Sequence, residues 1–170
     1  MRSITPRQAL FGSDRRHGLG CLVRISVTVT LAAVVLAFTP NARATDRNAA
    51  ATILYAQLTF LDKQRALNKC LAASPHKNTP CIRQKALSLA TSAAHQIKLI
   101  GAAMDGSERA CVRTVADQEI TYLQIWRKGA LLLYRNHRKE ARRTFLQSLE
   151  IQKAQEQIQP SCFTDVFSGP

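Results

Sequence analysis

Along residues 46–160 apolar side chains recur at steps of three and four, the spacing that gathers one face of an α-helix, and nothing in that span alternates as a half-buried strand would. The cleanest seam is Ile82, Ala86, Leu89, Ala93, Ile97, Ile100 and Met104, with the small Ala90 and Ala94 allowing close approach of a neighbour. Upstream, Ile53, Leu54, Leu58, Leu61, Leu67 and Leu71, with Phe60 beside them, make a broader stripe. Downstream, Val112, Val115, Ala116, Tyr122, Leu123, Trp126, Ala130 and Leu133 make another, and Ala141, Phe145, Leu149 and Ala154 or Ile158 a fourth.

Start and stop signals bound these stripes. Asp46 can cap a helix running to about residue 73, and the polar Ser74, Pro75, His76, Lys77 and Asn78 read as a loop. Thr79-Pro80 supplies a capping hydroxyl followed by a proline whose missing N–H would be unpaired anyway. Asp105-Gly106 ends the second helix, Ser107 caps the third with Glu108 favourably placed against its dipole, and Asn136 suits a left-handed stop. Pro160 ends the fourth. The pattern predicts helices over 46–73, 80–104, 107–135 and 138–159, followed by an irregular tail over 161–170. Loops this short make successive helices antiparallel neighbours, so the expected architecture is all-α: an up-down-up-down four-helix bundle over residues 45–160. Gly129 sits inside the third helix, at a cost of about 1 kcal/mol relative to alanine, which implies close packing there.

The first 44 residues read as a cleavable signal peptide. Arg2, Arg7, Arg15, Arg16 and Arg24 face a single Asp14, residues 25–38 are an uncharged apolar run, and Pro40 precedes the small-x-small site Ala42-Arg43-Ala44. Cleavage would leave Thr45 first. The run is shorter than the roughly 20 residues a membrane span needs, so the mature form is expected to have no transmembrane span, with an uncleaved anchor as the alternative. Arg15-Arg16 lacks the neighbours of a twin-arginine signal, and Cys21 precedes the apolar run where a lipid-anchor cysteine would follow it.

Removing the leader leaves 126 residues with 18 basic and 10 acidic side chains, a net +8 from the whole chain's +13. That charge bears on anionic partners and solubility rather than fold. Four cysteines remain, an even number in a chain expected to be periplasmic or secreted. Bundle topology sorts them: Cys70 and Cys81 fall at one end, Cys111 and Cys162 at the other, and a disulfide cannot bridge a helix length. The predicted pairs are 70–81 and 111–162.

Chemistry-bearing motifs are sparse. The Glu-x-x-His pairs of two-metal bundles are missing, His76, His95 and His137 are scattered, and no C-x-x-C, G-x-S-x-G or H-E-x-x-H occurs after residue 44. The reading is therefore non-enzymatic, with no catalytic residues, metal or cofactor. Asp117 and Glu119 are read as neutralising Arg113 or a neighbouring chain rather than as an acid–base pair.

One feature stands out. Arg127, Lys128, Arg135, Arg138, Lys139, Arg142 and Arg143 crowd the turn around Asn136 and His137, with Glu140 the only acid among them. Arg135 at a helix C-terminus suits the dipole, but Arg138, Lys139, Arg142 and Arg143 lie at a helix start, where cations are unfavourable and anions are welcome. The candidate anion-binding set is thus Arg135, His137, Arg138, Lys139, Arg142 and Arg143. The expected partner is an anionic envelope surface or an acidic protein; nucleic acid is disfavoured because the aromatics sit at core spacing. Alternatives are a periplasmic inhibitor, immunity or chaperone-like protein acting through an apolar surface, and an enzyme or cofactor-binding bundle.

The same hairpin resembles a single tetratricopeptide repeat over residues 125–151: Gly129, Ala141, Phe145 and Ser148 fall at its glycine, alanine, phenylalanine and second alanine, and Asn136 at its turn. The resemblance implies a peptide-binding helical scaffold. Lys128 departs from the pattern, no second copy is visible, and such repeats need about three copies to stack a core, so it is read as local hairpin packing.

Overall fold

The computed structural model describes residues 42–168. The apolar run, the twin arginines and Cys21 lie outside the described residues. Four helices make up the described chain: α1 (Ala42–Ala73), α2 (Pro80–Ala103), α3 (Ala110–Tyr134) and α4 (Arg138–Ser168). Asp46, near the start of α1, reaches Ser107 before α3, and Arg47 reaches Val166 near the end of α4. At the far end Arg138, opening α4, reaches the loop between α1 and α2. The helices therefore alternate up and down. Packing is closest between consecutive helices, and α1 meets α4 far less than a closed four-helix ring would have it.

The apolar stripes form one core. Ile53, Phe60, Leu67, Ile82, Leu89, Ile100, Val112, Val115 and Leu123 are fully buried, each such large side chain stabilising by about 1.5–3 kcal/mol. Phe60, Tyr122 and Trp126 meet edge-on or tilted with ring centroids 5.9–6.1 Å apart, and Trp126 lies 4.4 Å from Phe145. A Cβ on Gly129 would overlap the Phe145 ring, so the glycine is what lets α4 approach α3 here.

Several expectations fail. Leu149 is exposed, and α4 buries Ser148 and Gln155 instead. Asp46 does not start α1, which begins at Ala42; it binds the turn that leads into α3. Ser107, expected to cap α3, donates its hydroxyl to Asp46 Oδ1 at 2.6 Å, and the same oxygen accepts the amides of Glu108 and Arg109 at 3.1 and 3.3 Å. The turn before α3 is thus held by a carboxylate from another helix.

Nor does Pro160 end α4. It removes one helical N–H, but the residues beyond it are held from outside: Cys162 is bonded to Cys111, and Phe163 and Val166 are buried. The tail expected to be irregular is two further turns of helix. The disulfides pair as the topology requires, Cys70 with Cys81 and Cys111 with Cys162, with Cα separations of 5.9 and 5.8 Å. Two disulfides fit an oxidising, non-cytoplasmic environment. Among the described residues, no helix is long and apolar enough to cross a membrane.

Candidate functional site

The basic turn is built on a Schellman motif. Asn136 takes the left-handed conformation with φ 68°, its amide bonds to Leu133 O at 3.0 Å, and the His137 amide returns to Leu132 O at 2.8 Å. The His137 carbonyl then accepts the Ala141 amide at 2.9 Å, so α4 starts with no intervening loop. This compactness brings a C-terminal cation, Arg135, next to those of the following N-terminus.

The six candidate residues do not play one part. Arg138 reaches across to the α1–α2 loop, donating from its two guanidinium termini to Lys77 O at 2.7 Å and Pro75 O at 2.8 Å. Asn78 Nδ2 returns a bond from that loop to Leu133 O at 3.0 Å. Arg138 is thus a strap between two loops, and the Cys70–Cys81 disulfide closes the base of the one it holds. His137 Nδ1 lies 3.6 Å from Glu140 Oε1, both exposed, which offsets its charge when it is protonated. Arg142 is half-buried. Arg135, Lys139 and Arg143 are exposed. The strap also adds a contribution absent from the sequence-based set: His76 and Lys77, both exposed, sit in the loop that Arg138 binds. The signal for them was topological, because the first and third loops share an end.

A second polar centre lies within the helices. Glu119 of α3 is fully buried, and its Oε2 accepts from Gln57 Nε2 at 2.9 Å and Gln155 Nε2 at 2.8 Å. Gln57 and Gln159 exchange bonds of 3.0 and 2.9 Å, bridging the thin α1–α4 seam. Burial pushes the Glu119 carboxyl above its ordinary value, against the two amide bonds that lower it. Asp117 is exposed on another side of α3, so the two carboxylates do not converge. Arg113, expected beside them, donates instead through Nε to Ser107 O at 2.8 Å. Among the described residues no three His, Cys, Asp or Glu side chains gather as a metal-holding group.

No known protein family, curated protein or solved structure matches the chain. The hairpin that resembles a single repeat packs through the Gly129–Phe145 contact.

Proposed function

We propose that the protein is an exported, non-enzymatic helical binding protein that engages an anionic envelope component or an acidic partner through the end formed by residues 135–143. The observation that carries this reading is the exposure of Lys139 and Arg143 in the first turns of α4, set against the helix dipole, with Arg135 alongside. A cation placed there raises the energy of the free protein slightly and gains it back when an anion arrives. Arg138 contributes differently, by fixing the loop that carries Lys77 beside the same end.

Binding of the mature protein to immobilised anionic envelope material tests this. Affinity is expected to fall steeply between low and physiological salt, because exposed charges are screened beyond about 8–10 Å at those ionic strengths. Changing Arg135, Lys139 and Arg143 together to glutamine should weaken binding by about a hundredfold, from about 1 kcal/mol for each basic residue near an anionic surface. Unchanged binding by that variant would end the proposal.

A further inference from the structure

The side of α4 facing away from the core carries leucines where a surface helix ordinarily carries charge. At about 100° per residue, Lys139, Arg143 and Leu146 project from one side of the helix, opposite Ala141, Ser148 and Gln155, with Leu149 on the flank of that side next to Phe145 and the exposed Glu150 between the two cations in angle. Leu146 and Leu149 are 41% and 46% exposed, whereas Ser148 and Gln155 are only 2% and 7% exposed. The helix has turned its leucines outward and its amide inward. Gln155 explains the inward half, since it is bound to Glu119. The outward half, two leucines one turn apart, has no such internal reason.

Their setting points to an occupant. The cations lie on one side of the leucines along the helix, toward the basic end, and on the other side Lys153 is neutralised by Glu150 at 3.2 Å. From Lys139 to Leu149 the face spans about 15 Å. Two leucines fall far short of the roughly 800 Å² per partner that a stable protein interface buries. A lipid surface demands no such area and no shape complementarity: short apolar side chains enter the headgroup–acyl boundary while neighbouring cations stay with the phosphates.

We propose that this face of α4 docks on an anionic lipid bilayer, with Leu146 and Leu149 inserted at the interface and Lys139 and Arg143 paired with phosphate. The inference rests on the anion-binding reading of the basic end and names the anion. Three probes separate the two: vesicles of phosphatidylglycerol and phosphatidylcholine, vesicles of phosphatidylcholine alone, and soluble polyphosphate. Leu146→Ser with Leu149→Ser is expected to weaken binding to the anionic vesicles by about tenfold and to leave polyphosphate binding unchanged. Lys139→Gln with Arg143→Gln should weaken both. Phosphatidylcholine vesicles should bind little protein of any variant.

Equal vesicle binding with and without the leucines would overturn the lipid assignment, as would binding of polyphosphate without binding of anionic vesicles. Unchanged binding of the charge variant to both anions would overturn the anion-binding reading itself. A second measurement does not depend on deleting the leucines: Leu149→Trp adds an indole whose emission brominated acyl chains should quench on docking, and an unquenched signal from vesicle-bound protein sinks the proposal.

Discussion

Glu119 carries its proton further up the pH scale than an ordinary glutamate because burial penalises its charged form more than two amide hydrogen bonds compensate. A carboxyl whose folded value is raised favours the folded state fully below its unfolded value, near pH 4.5, and that advantage declines as pH rises toward the folded value. Glu119→Gln keeps an oxygen for Gln57 and Gln155 and removes the titration. Thermal melts should show the variant more stable than the parent at neutral pH by about 1–3 kcal/mol, the range for a poorly compensated buried polar group. The gain should shrink on acidification toward pH 4.5. Glu119→Leu, which leaves the Gln155 amide without its acceptor and Gln57 with Gln159 alone, should destabilise throughout. The position itself was legible, since 119 continues the step from Val115 and Ala116 to Leu123 and Trp126. What obscured it is that carboxylates are so rarely buried that spacing alone does not outweigh residue type. Gln96 hid in the same way, within the seam of α2.

The helices themselves were readable because each stripe repeats over several turns and is punctuated by Pro80, Gly106 and Asn136. Their errors came from contacts distant in sequence. Asp46 has the look of a local cap, yet its acceptor oxygen serves amides 62 and 63 residues away. Asp46→Ala should therefore destabilise the protein by about 1–3 kcal/mol, the cost of leaving its hydrogen-bond donors without an acceptor. Its signature would be faster hydrogen exchange at the amides of Glu108 and Arg109, whereas a cap of α1 would loosen residues 47–49. Pro160 misled for a related reason: its local preference to stop a helix yields to a disulfide and two buried side chains downstream. The facing of α4 was the least accessible, since Leu149 fits an apolar stripe and only the Glu119–Gln155 bond gives the inward position to the amide. The basic cluster was visible by composition, but the withdrawal of Arg138 into a strap needed the neighbouring loop.

At the scale of the molecule, one covalent link secures each end. Cys70–Cys81 spans 11 residues and Cys111–Cys162 spans 51, so the loop-entropy account assigns them about 3 and about 4 kcal/mol. Denaturant unfolding should find the serine pair at 111 and 162 the more costly, with the loss augmented because that bond also holds the helix beyond Pro160. Loss of the 70–81 pair should cost less overall and should loosen the loop that Arg138 grips. Both pairings followed from topology, because a helix of this length carries the chain about 36 Å away from its start.

The same alternation leaves the molecule with a handle and a working tip. The start of α1 lies beside the turn before α3 and the end of α4 beside Arg47, so both outer ends of the described helices share one pole, while the basic turn stands about 35 Å away at the other. A molecule held by that pole therefore presents residues 135–143 outward, toward whatever approaches, without having to be turned around.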